Sequence, residues 1–157
     1  MNITKIAYLA GIVDGEGTIQ IIRQRNENNS KPLYVTGAIY ITNSSIPLLD
    51  WIQSNFGGNR TKARSVVGKN WKPVYRVQFY GAVAENLVET ILPFLVIKQE
   101  QAKLFLELRR RMKQYKHPLS AAERATREEL AVACQQLNRR GIGQDDRLSE
   151  LAPSNEG

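Results

Sequence analysis

The chain has 157 residues, with 22 Lys and Arg against 15 Asp and Glu, so its formal net charge is +7. This length corresponds to one domain, and a strongly positive surface favours a polyanionic partner such as nucleic acid. The single cysteine, Cys134, and the single histidine, His117, exclude an intrachain disulfide and a zinc site built from Cys and His. No apolar run reaches the ~20 residues that span a bilayer, so no membrane partner is expected.

The positive charge is concentrated in the first part of the chain. Residues 1–118 contain 17 Lys and Arg against 8 acids, a net charge of +9, and residues 119–157 contain 5 against 7, a net charge of −2. We predict a basic core at 1–118, a C-terminal helical extension at 119–141, and a polar tail at 142–157 that is compatible with disorder. A solvated basic face without a ligand is the alternative that composition leaves open.

Apolar residues at helical spacing, together with capping residues, predict five helices. The first begins after Asn2 or Thr4 and stops among Gly11, Gly15 and Gly17. The second begins after Ser44 or Ser45 and stops at Gly57. The remaining three cover Val83–Leu92, Ile97–Lys116, and a stretch from the capping box at Ser120 to about Gly141.

Alternating apolar and polar residues predict two β-hairpins. The first joins Thr18–Asn26 to Leu33–Thr42, and the second joins Gly58–Val67 to Val74–Tyr80. Because each strand alternates, helices should cover one face of the sheet and leave the other face open. The order of elements therefore predicts an α+β fold with one antiparallel sheet.

The predicted open face is rich in hydrogen-bonding and cationic side chains and poor in carboxylates. Such side chains at alternate strand positions match the donors and acceptors in the major groove of DNA. A solvated polar face without a ligand is again the alternative. The residues predicted to face DNA are Gln20, Ile22, Gln24, Asn26, Tyr34, Thr36, Ala38, Tyr40, Arg60, Lys62, Arg64, Arg76 and Gln78.

One stripe of the first helix is nearly free of side chains. Ala7, Gly11 and Gly15 recur every four residues, although each glycine costs the helix ~1 kcal/mol relative to alanine. Such a stripe suits the close approach of another backbone. That backbone is either the sheet of the same chain or a second copy of the helix across a two-fold axis.

Glu16 lies at the C-terminal end of the first helix, where the helix dipole disfavours negative charge. If two copies of the helix pair, their Glu16 carboxylates converge and require a cation. A site rich in oxygen ligands and free of histidine suits Mg²⁺. Asp14 is assigned to the same dimer interface, with a hydrogen bond to local backbone as the alternative.

The segment Leu9–Gly17 reads LAGIVDGEG and resembles the signature nonapeptide of the LAGLIDADG homing endonucleases. The chain carries it once, as in the single-motif, homodimeric branch of that family. The resemblance covers about residues 3–116 and includes Pro93–Ala102, which is similar to the start of the family's helix after the sheet. It implies an αββαββα fold, with a saddle-shaped, four-stranded antiparallel sheet, helices on one face and an additional C-terminal helix.

The resemblance also implies roles for single residues. Glu16 corresponds to the metal-binding acid, and the carbonyl of Gly15 would approach the metal. Lys98 corresponds to the active-site lysine, with a solvated first-turn lysine as the alternative, and Asn43 corresponds to a polar amide that is often Gln. These residues would be catalytic, and the dimer interface would contain Ala7, Gly11, Asp14 and Gly15.

The implied activity is Mg²⁺-dependent hydrolysis of one phosphodiester in each DNA strand, with no cofactor other than the metal. A homodimer would make a double-strand break in a long, near-palindromic target, as in intron homing. A non-catalytic DNA-binding regulator or an RNA splicing cofactor (a maturase) is the alternative on the same fold. The expected location is the compartment of the encoding genome, which is an organelle interior or a prokaryotic cytoplasm.

Overall fold

Helices and strands alternate along the chain in the predicted order. The structure, a computed structural model, describes residues 2–24, 34–63 and 72–139. The helices in these residues are α1 (Ile3–Glu16), α2 (Ile46–Phe56), α3 (Gly81–Ile91), α4 (Gln99–Gln114) and α5 (Ala121–Asn138). The strands are β1 (Gly17–Gln24), β2 (Tyr34–Asn43), β3 (Asn59–Lys62) and β4 (Tyr75–Tyr80).

The strands form one sheet in the order β1-β2-β4-β3, and every neighbouring pair is antiparallel. Two hairpins therefore meet through β2 and β4 at the centre of the sheet. This arrangement confirms the predicted α+β class and four-stranded antiparallel sheet. The predicted turns at 26–32 and 68–70 and the tail at 142–157 lie outside the described residues.

The helices cover one face of the sheet and bury its apolar residues. Ile19, Ile39, Ile41, Val77 and Phe79 are at most 1% exposed and belong to one core with apolar residues of α1, α2, α3 and α4. These strand residues follow the two-residue period that the sequence predicts. The opposite face is left to polar side chains, which places the candidate DNA interface there.

Gly17 joins α1 to β1 with no intervening loop. Its N–H donates to the carbonyls of Ile12 and Val13, and it is also the first residue of β1. A Cβ added to Gly17 would lie 2.7 Å from the Cα of Val13 and 2.8 Å from its carbonyl oxygen. Only glycine therefore lets the chain leave the helix as a strand at this point, and Glu16 lies directly beside the sheet.

The last helix, α5, packs on α4 and on the edge strand β1. The hydroxyl of Ser120 accepts a hydrogen bond from the N–H of Glu123 at 3.1 Å, as expected for a residue that caps the helix. At the other end, Asn138 donates to the carbonyl of Ile19 at 2.8 Å. Pairing of this kind covers a strand edge that would otherwise offer free backbone groups. Membrane-spanning helices are not found among the helices described here.

Candidate nucleic-acid interface and metal site

Glu16 presents its carboxylate at the exposed end of α1. The amide nitrogen of Asn43, at the end of β2, donates to the Oε2 atom of Glu16. The Asn43 Oδ1 atom accepts from the N–H of Ser45 at 2.7 Å, and Ser45 is the N-cap of α2. The structure thus brings together two of the predicted site residues and fixes the orientation of the Glu16 carboxylate.

Lys98 is buried beside the same end of α1. The residue is only 5% exposed, so the alternative of a solvated lysine is wrong. The ammonium group donates to the carbonyls of Val13 at 2.7 Å and Asp14 at 2.5 Å. A cation at this position compensates the negative end of the helix dipole. It therefore supplies the positive charge that the position of Glu16 requires.

Asp14 binds the backbone that leads into α4. Its carboxylate, in a residue that is 7% exposed, accepts from the N–H groups of Val96 at 2.7 Å, Ile97 at 3.2 Å and Lys98 at 3.0 Å. These partners are 82–84 residues away, not on local backbone as the alternative interpretation expected. Asp14 and Lys98 thus form a reciprocal clamp, in which each side chain binds the other residue's backbone.

The oxygen donors at the end of α1 fit Mg²⁺ as a partial set of ligands. Each chain offers the exposed Glu16 carboxylate and the neighbouring Gly15 carbonyl, and within the described ranges no group of three or more His, Cys, Asp or Glu could hold a metal. Mg²⁺ commonly uses one or two carboxylates and completes its shell with water and phosphate oxygens. The Glu16 carboxylate and the Gly15 carbonyl therefore fit part of the ligand shell of Mg²⁺.

The small-residue stripe of α1 does not pack on the sheet of its own chain. Ala7, Gly11 and Gly15 are exposed, and a Cβ added to either glycine would have no described atom within 4 Å. The intramolecular alternative for this stripe is therefore wrong. Tyr8 and Ile3 on the same helix are 56% and 65% exposed, so the surface next to the stripe is partly apolar.

The open face of the sheet contains most of the predicted DNA-facing residues. Tyr40 is paired with Thr18 on one side and Gln78 on the other, and Thr42 is paired with Arg76. Alternation along the strands therefore places the following residues on this face: Gln20, Ile22, Tyr34, Thr36, Tyr40, Arg76 and Gln78. The side chain of Gln24, and Asn26 and Arg64 entirely, lie beyond the part that the structure describes.

Ala38 departs from the prediction. It lies on the open face between its partners Gln20 and Tyr80, but it is 0% exposed. Its methyl group is short, and its larger neighbours cover it. Ala38 is thus a spacer beneath these side chains and does not offer a surface to DNA.

Arg60 and Lys62 also depart from the prediction, because they lie on the other face from Arg76 and Gln78. Arg60 is paired with Val77 and Lys62 with Tyr75, so both share the face that helices cover. Arg60 forms a 2.5 Å ion pair with Asp50 of α2. The β3 residues on the open face are instead Asn59 and Thr61.

Four side chains of β2 and β4 interact on the open face. The Cζ atom of Arg76 lies 4.8 Å from the ring centroid of Tyr40, and its Nε atom donates to the hydroxyl of Thr42 at 3.3 Å. The hydroxyl oxygens of Tyr40 and Tyr80 are 3.0 Å apart. Burial, followed by the hydrogen bond with Tyr40, raises the pKa of Tyr80 to about 12. Its phenol therefore stays protonated near neutral pH.

Comparison with solved structures establishes the class of fold. No protein-family model matches the sequence, and no curated protein matches it. Solved structures with the same architecture include several homing endonucleases, among them a protein described as a LAGLIDADG homing endonuclease, I-SmaMI. This chain therefore has the LAGLIDADG homing endonuclease fold, as the motif at Leu9–Gly17 predicts.

Three of these structures show how far the likeness extends. I-CvuI, in complex with the I-CreI target, superposes with a TM-score of 0.72 at 24% identity over 88% of this chain and 85% of its own. The archaeal intron-encoded I-Vdi141I, complexed with DNA, has a TM-score of 0.72 at 17% identity over 93% of each chain. I-TnaI has a TM-score of 0.63 at 20% identity over 85% of this chain and 93% of its own.

Proposed function

We propose that the chain is a homing endonuclease that makes a double-strand break in a specific, near-palindromic DNA target. The observation that carries this proposal is the position of Glu16. An exposed carboxylate, oriented by Asn43, lies at the end of α1 directly beside an open polar sheet face. The complexes of I-CvuI and I-Vdi141I with DNA support the same use of this fold.

A homodimer supplies the second carboxylate and the second reading surface. Gly11 and Gly15 leave room for another backbone against α1, and a two-fold axis through this contact would bring the two Glu16 residues together. Each Glu16 would serve one DNA strand. β2 has 10 residues, which at ~3.3 Å per residue corresponds to about 10 base pairs at ~3.4 Å each, so the dimer would contact roughly 20.

The described residues of the site have distinct roles in this proposal. Glu16 and the Gly15 carbonyl would hold Mg²⁺, and Asn43 keeps the carboxylate oriented. When bound, Mg²⁺ would supply an activated water and stabilise the leaving oxygen. Lys98 fixes the end of α1 through its bonds to two carbonyls of that helix, and in the proposal its positive charge would help to stabilise the charge that increases on the phosphate in the transition state. The enzyme would act in the compartment of its encoding genome, an organelle interior or a prokaryotic cytoplasm.

The test combines target selection with one substitution. Cleaved sites are selected from a randomised DNA library in the presence of Mg²⁺, and the selected site is then assayed with the unaltered protein and with Glu16→Gln. We expect the unaltered protein to cut both strands and Glu16→Gln to bind the site without cutting it. Asp50→Asn, which changes an exposed carboxylate on α2, is the control and should retain cleavage.

Three results would contradict the proposal. Cleavage by Glu16→Gln at the unaltered rate would remove this residue from the mechanism. Sequence-selective binding without cleavage by the unaltered protein, at any Mg²⁺ concentration, would instead support the non-catalytic DNA-binding regulator. Tight binding to a structured intron RNA without DNA cleavage would support the maturase.

A further inference from the structure

The side chains of Tyr40, Tyr80 and Gln78 form a hydrogen-bond chain with a defined direction. The hydroxyl of Tyr80 donates to the Oε1 atom of Gln78 at 3.0 Å. A phenol has one proton, so the oxygen of Tyr80 accepts from the hydroxyl of Tyr40 across their 3.0 Å contact. An amide oxygen is a better acceptor than a phenol oxygen, which favours this arrangement of the Gln78 amide over the flipped one.

This series of hydrogen bonds determines which end of the Gln78 amide is offered to a ligand. The carbonyl end is turned toward Tyr80, so the –NH₂ end is presented on the open face. Gln reads adenine with both ends of its amide, because it accepts from N6 and donates to N7. The bond from Tyr80 occupies one of the two lone pairs of the Gln78 oxygen and turns that oxygen toward Tyr80, which favours base contact through the –NH₂ donors. Donors match guanine, whose major-groove edge carries the acceptors N7 and O6.

We infer that Tyr80 is a specificity-determining positioning residue, which orients Gln78 to select guanine over adenine at one base pair of each half-site. The inference rests on the proposed function, because it requires that this face reads DNA. Tyr80 would act through Gln78 and need not touch the base. Its phenol keeps its proton throughout the neutral range, so the donor is present under all ordinary assay conditions.

Arg76 supports the same interpretation at the next position along β4. The ring of Tyr40 lies against its guanidinium group, and Thr42 accepts from its Nε atom. These contacts orient the side chain for a bidentate contact with guanine, which is the commonest specific contact of arginine in the major groove. Tyr40 therefore supports both neighbouring readers, Arg76 with its ring and Gln78 through its hydroxyl and Tyr80.

The experiment is a binding selection from DNA with a randomised half-site, without a cleavage step and at fixed salt. Gln78→Ala first identifies the base pair that Gln78 contacts, because the preference at that position becomes flat. Tyr80→Phe keeps the ring and removes only the hydroxyl. We expect the ratio of guanine to adenine at that position to fall roughly tenfold, as expected for the loss of one good base contact.

Two variants serve as controls. Tyr115→Phe removes an exposed hydroxyl at the end of α4, outside the sheet face, and should leave the ratio unchanged. Tyr40→Phe removes the donor to Tyr80 but leaves the bond from Tyr80 to Gln78, so the ratio should change less than twofold. The dependence of binding on salt should be the same for all three variants, because none of them removes a cationic side chain.

Each remaining outcome contradicts a defined part of the argument. An unchanged ratio in Tyr80→Phe, or a preference for adenine at that position in the unaltered protein, overturns this inference alone. A larger effect of Tyr40→Phe than of Tyr80→Phe overturns the direction of the hydrogen-bond chain and the inference with it. The absence of any sequence-selective DNA binding by the unaltered protein overturns both the inference and the proposed function.

Discussion

Replacement of Asp14 by alanine tests the clamp that holds the end of α1 against the start of α4. The Asp14 carboxylate is almost fully buried and accepts three backbone N–H groups at 2.7–3.2 Å. Alanine would leave these three donors without their partner, and the N–H of Lys98, a residue that is 5% exposed, would be left where water reaches poorly. The substitution would thus remove all the hydrogen bonds described between the Asp14 carboxylate and the 96–98 backbone.

The size of the effect follows from the hydrogen bonds that are lost. A hydrogen bond to a charged group contributes about 1.5–3 kcal/mol, and each buried, unsatisfied donor costs about 1–3 kcal/mol. Because these three bonds share one carboxylate and are not additive, we expect Asp14→Ala to lower the free energy of unfolding by about 3–5 kcal/mol. For a domain of this size that corresponds to a decrease in Tm of roughly 6–20 °C.

Urea unfolding, followed by circular dichroism, measures this free energy directly. Asp14→Asn keeps one acceptor oxygen and should lose less stability than Asp14→Ala. Glu16→Gln, two residues further along the same helix, is the matched control. The Glu16 carboxylate is exposed at the negative end of the helix dipole, so the free energy of unfolding of Glu16→Gln should differ from that of the unaltered protein by less than ~0.5 kcal/mol. A loss below about 1 kcal/mol for Asp14→Ala would refute the argument that the clamp stabilises the fold.

Three further substitutions test other parts of the structure. Gly11→Ala should stabilise the isolated chain by up to ~1 kcal/mol and weaken its self-association, and analytical ultracentrifugation that finds unchanged association would contradict the role of the stripe. Arg60→Ala should leave every base preference in a binding selection unchanged, because Arg60 is on the helix-covered face; an altered preference at any position would place it at the DNA. Burial acts to raise the pKa of Glu85, but hydrogen bonds from Lys113 and Arg109 outweigh it and hold the pKa below its ordinary value. The stabilisation from Glu85 is therefore present above its unfolded-state pKa of about 4.3 and is lost as the pH falls through the lower folded-state value. Urea titrations between about pH 3 and pH 6, a range that spans the unfolded-state pKa of about 4.3, should show a smaller loss of stability for Glu85→Gln than for the unaltered protein. Equal losses would exclude the Glu85 ion pairs as a source of the pH dependence.

The sequence contains enough information for the fold class and the order of elements, and it indicates the candidate site residues that the structure brings together. Strict alternation in β1, β2 and β4 identifies the buried face, because each of these strands has one clearly apolar side. The acid at the end of a glycine-rich helix identifies Glu16, and the family resemblance identifies Asn43 and Lys98. The structure brings Asn43 to Glu16 and Lys98 to the same helix end.

The faces of β3 could not be predicted from its sequence. Its four residues, NRTK, are all polar, so neither side is marked as the buried one, and a shift of one residue moves every side chain to the other face. Two glycines with positive φ, Gly57 and Gly58, precede this strand. The periodicity of helix α2 therefore does not indicate which residues of β3 face the helices. Their cationic chemistry favours the DNA face for Arg60 and Lys62, but in the structure Arg60 forms an ion pair with Asp50.

Contacts between distant segments were also beyond the sequence. The partners of Asp14 lie 82–84 residues away, and nothing in the local pattern distinguishes this carboxylate from an exposed one. Ala38 follows the alternation correctly, and its burial depends only on the size of the side chains on the adjacent strands. The bond from Tyr80 to Gln78 likewise depends on rotamers that no periodicity specifies.

The loop-free junction at Gly17 has a consequence for any attempt to retarget this molecule. In the proposed function, the metal-binding acid Glu16 and the first DNA-reading strand β1 share one continuous stretch of regular backbone. The offset between the scissile bond and the bases that β1 would contact is therefore fixed. Substitution of side chains on the strands would change which bases are recognised, but the distance of those base pairs from the scissile bond would stay the same. An insertion at this junction would move Glu16 away from β1 and should abolish cleavage even where DNA binding is retained.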